Sequence, residues 1–336
     1  MVKIDHDKYE EYLKKIKRSR IAVIGDLMLD VYFWGRTDRI SPEAPVPVVS
    51  VTGEEMKPGG AANVSLNVKS LGAKPYSFGV IGNDMSGSFF IDNFKFHGLN
   101  TDNILIDKKR PTTVKTRILA LNQHVVRFDK ESTEDISKNT EKKLLESFIE
   151  AADNIDAVIF QDYNKGVLTS GLVKNIMSVA SEKKILTAVD PKIKNFISYK
   201  GADIFKPNLK EAEEILKRKI RTDSEIEKAG IDLMDKLELK RLVITLSERG
   251  MAIFNSNAIM NIIPAQSAKI ANVSGAGDTV ISTLVAFICG GASFEEACTI
   301  ANFAASIVVE DVSIIPVEPS QLKIRLEKSG IIQKRK

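Results

Sequence analysis

The sequence contains few of the residues that build disulfide frameworks or zinc sites. It has two cysteines, Cys289 and Cys298, and three histidines in 336 residues. No cysteine has a histidine at metal-ligand spacing, which argues against a Cys/His metal site, and two cysteines are too few for a disulfide-rich secreted fold. We interpret them as reduced core thiols of a cytoplasmic protein.

Long apolar segments and basic-aromatic runs are also missing. The longest apolar run, VISTLVAFICGGA from Val280, is shorter than the ~20 residues that span a bilayer. The charged N-terminus lacks the apolar segment of a signal peptide. The net charge is only +4, and the one dense basic cluster is the terminal QKRK. We therefore expect neither a membrane nor a nucleic acid as partner.

The hydrophobic pattern predicts a mostly parallel central sheet. Short β-branched runs lie at 21–25, 157–160, 185–189 and 242–246, and helical patterns lie at 141–152, 171–184, 209–218 and 224–237. This alternation is typical of an α/β fold with helices on both faces of the sheet. Ligands of such folds bind beyond the carboxyl ends of the strands.

Two segments interrupt this alternation, at 31–58 and 112–129. The first contains four prolines, and the second, TTVKTRILALNQHVVRFD, alternates as exposed antiparallel strands do. We expect a small separate sheet that acts as a lid; ordinary edge hairpins are the alternative. Because no repeat or flexible linker is present, residues 1–336 are predicted to form a single domain.

The motif SGAGD lies just before an apolar helical segment. Gly275, Ala276 and Gly277 are small enough for backbone N–H groups to approach an anion, and the following helix adds its positive end. Asp278, on the first turn, could accept a proton from an attacking hydroxyl group. The alternative is a plain helix start with an early acidic residue.

Two further motifs could bind a ligand, one of them a nucleotide phosphate. Asn208 and Glu211, three residues apart at a helix start, could bind Mg²⁺ through water, or they could form only a capping box. Thr245, Ser247 and Gly250 could line a loop of hydroxyl and amide groups, or they could belong to a simple hairpin.

Two other motifs suit a polyol, and a third could face the ligand crevice. Asp26 and Asp30 follow the first strand; Gly59, Gly60 and Asn63 open a helix; and Asp162 and Lys165 follow a buried strand. The respective alternatives are turn and cap roles, a plain glycine turn before a helix, and a solvated ion pair.

Together, GGAAN from Gly59, NxxE from Asn208 and GAGD from Gly275 resemble the PfkB, or ribokinase-like, family of sugar kinases, over about 21–319. The resemblance implies a three-layer α/β fold with a small β lid, ATP and Mg²⁺, and a homodimer formed through the lid. It implies that Asp278 is the general base and that residues 275–277 form the anion hole. Asn208 and Glu211 would bind Mg²⁺ and phosphate, Thr245, Ser247 and Gly250 would lie under the nucleotide phosphates, and Asn302 would lie near adenine. The sugar would contact Asp26, Asp30, Gly59, Gly60 and Asn63.

Within the family, RISPEAPVPVV, PGGAANV, DYNKG and SGAGDTVI resemble the branch that phosphorylates the anomeric hydroxyl of D-glycero-β-D-manno-heptose 7-phosphate, on the route to ADP-heptose and lipopolysaccharide. In many bacteria this kinase is fused to a nucleotidyltransferase; we expect a stand-alone kinase here. The phosphate of such a substrate needs cationic partners, and the candidates are Arg39, Lys115, Arg117, Arg127 and Lys165.

One departure from the family pattern concerns potassium. Asn272 stands where the family usually has an aspartate associated with a monovalent-cation site, so we expect little stimulation by K⁺.

The alternatives to a heptose 7-phosphate kinase are a kinase for fructose, ribose or a nucleoside, and a non-catalytic sensor on the same fold. A dinucleotide dehydrogenase is disfavoured because no GxGxxG follows the first strand.

Overall fold

The computed structural model describes residues 2–120, 123–266, 273–311, 313 and 315–333. Its strands are β1 (Ile4–Asp5), β2 (Arg20–Gly25), β3 (Leu27–Ile40), β4 (Pro47–Gly60), β5 (Lys74–Gly82), β6 (Ile104–Asp107), β7 (Thr113–Ala120), β8 (Gln123–Lys130), β9 (Ala157–Gln161), β10 (Leu186–Asp190), β11 (Ile204–Phe205), β12 (Leu242–Thr245), β13 (Met251–Phe254), β14 (Met260–Ile263) and β15 (Ile332–Gln333). Its helices are α1 (His6–Ile16), α2 (Ala61–Ser70), α3 (Met85–Phe96), α4 (Lys138–Ala151), α5 (Ser170–Lys183), α6 (Leu209–Leu216), α7 (Asp223–Leu237), α8 (Ala276–Cys289), α9 (Phe294–Val308) and α10 (Pro319–Lys328).

A nine-stranded sheet lies at the centre, in the order β14-β13-β12-β11-β10-β9-β2-β5-β6. Its pairings are parallel from β12 to β6, and β13 and β14 are added antiparallel at one edge. The mostly parallel sheet predicted from the sequence is confirmed. Each of the four predicted strands agrees with an observed strand to within one residue at both ends.

Alternate residues of the central strands pack on opposite faces, because successive side chains of a strand point to opposite sides of the sheet. Ile21 and Val23 of β2 join one core with apolar residues of α1, α2, α8 and α9. Ala22 and Ile24 join a second core with residues of α4, α5, α6 and α7. The result is a helix-sheet-helix arrangement of three layers.

A separate four-stranded sheet, called here the small sheet, has the order β4-β3-β7-β8. Pairs β3–β4 and β7–β8 are antiparallel, whereas β3–β7 is parallel. The separate small sheet is therefore confirmed, although β3 and β4 extend beyond the predicted segment at 31–58. Its action as a lid and the single-domain assignment stay predictions.

Two of the predicted motifs, those that contain Asp26 and Gly60, lie at the junction between the two sheets. Asp26 is the single residue between β2 and β3, and Gly60 ends β4 directly before α2 begins. Both motifs therefore lie where the small sheet leaves the carboxyl edge of the central sheet. In the part of the chain that the structure describes, no helix is long and apolar enough to cross a membrane.

Candidate active site

Four polar or small residues lie side by side at the carboxyl edge of the central sheet. Gln161 pairs in register with Gly25 on one side and with Asp190 on the other. Lys206 follows β11, whose Phe205 pairs with the residue before Asp190. Parallel strands end at one edge, so residues distant in sequence form a continuous row there.

Asp278 lies opposite this row, on the first turn of α8. The helix starts after Gly275, whose φ of 80° is in the left-handed region that glycine adopts at low cost. The Asp278 side chain is buried, with 3% exposure. Its carboxylate accepts hydrogen bonds from Asn63 Nδ2 at 2.8 Å, Gln161 Nε2 at 3.0 Å and the Tyr163 hydroxyl at 2.8 Å. Its direct hydrogen-bond partners are thus neutral.

The electrostatic surroundings make Asp278 an unusually weak acid. Burial raises the pKa of Asp278 to about 7, and the nearby Asp190 carboxylate acts in the same direction. Hydrogen bonds from Asn63 and Tyr163 and the charge of Lys206 oppose this shift in pKa. A carboxylate with a pKa near neutrality is well matched to accept a proton from a hydroxyl group.

A cavity of about 650 Å³ opens beside Asp278. It is lined by all the residues that the sequence assigns to the nucleotide and the anion hole: Asn208, Glu211, Thr245, Ser247, Gly250, Gly275, Ala276, Gly277 and Asn302. The Asn302 amide donates to the Pro264 carbonyl at 2.8 Å. The structure brings this set together; the individual roles stay predictions.

Asn208 and Glu211 form the capping box that was the alternative interpretation of this motif. Asn208 Oδ1 accepts from the Glu211 N–H at 2.9 Å, and Glu211 Oε2 accepts from the Asn208 N–H at 2.8 Å. The other Glu211 oxygen is paired with Lys192. The capping box does not remove Glu211 from the cavity wall.

The donor set fits a magnesium ion that is bound together with phosphates. No group of three or more acidic, histidine or cysteine residues within the described ranges could bind a metal ion by itself. Mg²⁺ at phosphate-transfer sites is usually held by one or two carboxylates, water and the substrate phosphates. Glu211 and Asn208 supply a carboxylate and an amide of that kind.

β12 and β13 form the antiparallel hairpin that was the alternative interpretation, and the loop between them also lines the cavity. Residues Ser247–Arg249 form a short 3₁₀ helix, and Ser247 has a φ of 54°. A side chain at Gly250 would bring its Cβ to 2.1 Å from the Ile263 carbonyl oxygen. Glycine at 250 therefore lets this loop pass close to β14.

The side chain of Asp26 is hydrogen-bonded to backbone N–H groups. Its carboxylate accepts N–H groups of Tyr163 at 2.8 Å, Lys165 at 3.1 Å and Val167 at 3.2 Å. Asp26 thereby fixes the loop that places the Tyr163 hydroxyl on Asp278. Its predicted contact with sugar stays a prediction.

Asp30, Gly59 and Gly60 pack tightly at the junction of the two sheets. Asp30 is paired with Arg117, and a Cβ on Gly59 would lie 1.9 Å from the Asp30 carboxylate. Gly60 has a φ of 57°, and a Cβ there would lie 2.5 Å from the Asp26 carbonyl oxygen. Larger residues at 59 and 60 would displace both aspartates.

Four of the five candidate cations meet at the base of the small sheet. The basic cluster, as it is called below, consists of Lys115, Arg117, Arg127 and Lys165 with the acids Asp30, Asp129 and Glu131. Lys165 and Lys115 converge on Glu131, at 2.6 and 3.3 Å. Arg39 lies on the exposed outer part of β3, and the structure does not bring it into this cluster.

These cations change the pKa values of their acidic partners. The hydrogen bonds from Arg127, followed by Lys115, lower the pKa of Asp129 to about 2, against the effect of burial. Burial would raise the pKa of Glu131, but Lys165 and Lys115 outweigh it and lower that pKa. Both acids stay charged near neutral pH.

The sequence analysis missed Gln161, Tyr163, Asp190 and Lys206. It selected Asp162 instead, whose carboxylate points away and accepts the Tyr199 hydroxyl at 3.0 Å. The detectable pattern was a polar residue directly at the end of an apolar strand, as in AVIFQ and LTAVD. Asn272, on which the potassium prediction depends, lies outside the described residues.

Solved structures share the fold. Phosphofructokinase-2 from Escherichia coli in complex with potassium aligns with a TM-score of 0.76 at 18% identity, covering 93% of this chain and 99% of that one. Arabidopsis thaliana ribokinase complexed with ribose and ATP gives 0.72 at 17% identity, covering 92% and 98%. The ribokinase-like fold predicted from the motifs is confirmed.

Sequence relatives cover most of the chain. The bifunctional protein HldE of Helicobacter pylori (strain J99) is 42% identical over 291 residues, 87% of this chain and 63% of that protein. The protein of that name from Geobacter sulfurreducens is 39% identical over 300 residues, 89% of this chain and 61% of its own length. The chain thus spans less than two thirds of these relatives.

A family model described as pfkB family carbohydrate kinase matches residues 18–321. This match confirms the family predicted from GGAAN, NxxE and GAGD. The chain belongs to the pfkB family of carbohydrate kinases, a family of ATP-dependent phosphotransferases.

Proposed function

We propose that the protein transfers the γ-phosphoryl group of ATP to the anomeric hydroxyl of D-glycero-β-D-manno-heptose 7-phosphate, giving the 1,7-bisphosphate for ADP-heptose synthesis. Family membership supports the reaction type. The motifs of the heptose branch support the substrate, and so does the likeness to proteins named bifunctional protein HldE. We place the reaction in the cytoplasm, as the sequence predicts.

The observation that best supports a phosphorylated sugar is the basic cluster. One loop links it to the base: Tyr163 contacts Asp278, and Lys165, two residues later, contacts Glu131. A sugar bound between them could present one end to the base and its phosphate to the cations. The four cations of the basic cluster exceed its three acids by one charge, and Lys115 and Arg117 are buried, so a substrate phosphate would supply negative charge that an unphosphorylated sugar lacks.

The chemistry follows from the residues around Asp278. Its carboxylate accepts the proton of the anomeric hydroxyl as the sugar oxygen bonds to the γ-phosphorus and the bond to the ADP oxygen breaks. Asn63, Gln161 and Tyr163 orient the carboxylate by their hydrogen bonds. Backbone N–H groups at 275–277, at the positive end of α8, would stabilise the transferring phosphoryl group.

A magnesium ion bound with the nucleotide would neutralise phosphate charge during transfer. Asn208 and Glu211 would hold it through water, with Glu211 exchanging its pairing with Lys192 for this contact. This proposed binding of Mg²⁺ is supported by the position of Asn208 and Glu211 together in the cavity wall, with Glu211 paired with Lys192.

The small sheet also supports a homodimer. Large apolar side chains are exposed on it: Ile40, Val51, Val126 and Phe128 are 61%, 54%, 47% and 54% exposed. Exposed apolar side chains on one sheet favour an interface. Light scattering of the purified protein tests this proposal, and a monomer at micromolar concentration would contradict it.

Product analysis tests the proposed reaction. The protein is incubated with ATP and the heptose 7-phosphate, and phosphorus NMR follows the products. We expect a new phosphate coupled to the anomeric proton while the phosphate at position 7 is retained. Phosphorylation at any other hydroxyl, or equal turnover of fructose or ribose, would contradict the proposal.

A further inference from the structure

Lys206 is a buried cation that the mechanism above does not use. Its side chain is 3% exposed, and its ammonium group lies 3.0 Å from Asp190 Oδ2. It lines the same cavity as the anion-hole residues. Asp190 also accepts Gln161 Nε2 at 3.1 Å, and that amide group reaches Asp278. Lys206 and the base thus belong to one network.

The position of Lys206 is defined relative to the SGAGD loop. A Cβ built on Gly277 would lie 3.4 Å from Lys206 Nζ and 3.8 Å from Asp190 Oδ2. The ammonium group therefore lies directly beside the backbone of the residue before Asp278. Because glycine stands at 277, no side chain separates this cation from the N-terminus of α8.

A second lysine in the cavity has a different position. Lys192 is paired with Glu211 and lies 5.6 Å from the centre of the Tyr163 ring. It is therefore suited to the resting nucleotide near the capping box, whereas Lys206 is adjacent to the point of transfer.

We propose that Lys206 is a catalytic residue whose ammonium group contacts the transferring phosphoryl group beside the Gly277 backbone, with Asp190 and Gln161 positioning it. Lys206 forms no covalent bond. Its contribution is a fixed positive charge where negative charge accumulates on the phosphoryl oxygens. The inference rests on the phosphoryl transfer of the proposed function, but not on which sugar accepts the group.

Steady-state kinetics of Lys206→Met provide the first test. We expect kcat to fall about 10²- to 10³-fold, the usual loss when one donor to a transition-state oxyanion is removed. The KM for ATP should change little, because the contact strengthens only in the transition state. The matched control is Lys194→Met, which removes a half-exposed lysine paired with Asp135. It should retain the parent activity.

Loss of Lys206 leaves the buried Asp190 carboxylate without its cation, which could prevent folding. The double variant Lys206→Met with Asp190→Asn removes both charges and keeps an acceptor for Gln161. Thermal unfolding identifies the folded variants, and titration calorimetry adds a readout besides turnover. We expect a folded variant to bind ADP as the parent does, but to lose the tighter binding that aluminium fluoride confers by mimicking the transferring phosphoryl group.

Three results would overturn the inference. One is kcat close to that of the parent in a folded variant without Lys206. Another is unchanged binding of ADP with aluminium fluoride. The third is a crystal structure of the unaltered protein with ADP and aluminium fluoride in which Lys206 Nζ does not contact the fluoride. This structure tests the inference even if both variants fail to fold. Failure of the proposed function is distinguishable, since the parent protein itself would then not phosphorylate the heptose.

Discussion

The carboxylates at the two ends of the candidate site have pKa values shifted in opposite directions. At the central sheet, Asp278 is surrounded by amide and hydroxyl donors, and burial raises its pKa to about 7. At the small sheet, Asp129 and Glu131 are surrounded by lysine and arginine, and their pKa values are lowered, to about 2 for Asp129. Burial without a directly bound cation leaves the Asp278 proton exchangeable near pH 7, whereas directly bound cations keep Asp129 and Glu131 charged.

This difference matches two tasks. A general base must gain and lose a proton within one turnover, so its two protonation states should be similar in free energy. A site for a substrate phosphate needs cations that stay charged and in place before the ligand arrives. In the proposed function, the acids of the basic cluster would be temporary partners that compensate the cations until the phosphate binds.

The largest expected effect comes from the base. Asp278→Asn should lower kcat by about 10³-fold or more, because proton acceptance is lost. Binding of ATP, followed by calorimetry, should survive. The control is Asp153→Asn, which changes an exposed aspartate paired with Lys183. Turnover of Asp278→Asn within about tenfold of the parent would remove this residue from the mechanism.

A smaller effect is expected from the basic cluster. Lys165→Met should raise the KM for the sugar phosphate about tenfold, the usual size of one lost charged hydrogen bond. The KM for ATP should not change. Glu131→Gln should act in the opposite direction and lower the sugar-phosphate KM, because it releases Lys165 and Lys115 from a competing carboxylate. A rise in the sugar-phosphate KM for both variants would contradict a phosphate site here.

The pH dependence of kcat/KM tests the raised pKa of Asp278. Since Asp278 must be unprotonated, kcat/KM should be constant above about pH 7 and fall as pH decreases through the pKa of about 7. Tyr163→Phe removes a hydrogen bond that lowers this pKa, so the decline should move to higher pH, by up to about one unit. Asp190 and Lys206, the charged groups that face Asp278, remain in place. The control Tyr9→Phe changes a buried tyrosine of α1, and a pH profile shifted equally by both variants would contradict the argument.

The smallest expected effect concerns potassium. Because Asn272 replaces the usual aspartate, exchanging Na⁺ for K⁺ should leave the rate nearly unchanged at constant ionic strength. A several-fold increase in rate with K⁺ would show that the cation site does not need that charge.

The sequence predicted the central sheet, the small sheet and ten residues of the cavity wall, because these depend on local periodicity and on motifs at strand ends. It did not predict Gln161, Asp190 and Lys206 as neighbours, because their contact depends on the register of three strands far apart in the chain. It also could not show that the carboxylate of Asp26 is directed at backbone N–H groups. That geometry exists only after the loop at 161–167 has folded onto the sheet junction.

In the proposed complex, one end of the substrate meets a proton acceptor and the other end meets fixed cations. The most direct test compares kcat/KM for D-glycero-β-D-manno-heptose 7-phosphate with that for the same heptose without its phosphate. We expect the phosphorylated sugar to be preferred by about 10²-fold or more, as two or more charged contacts imply. Equal values for the two sugars would contradict the account.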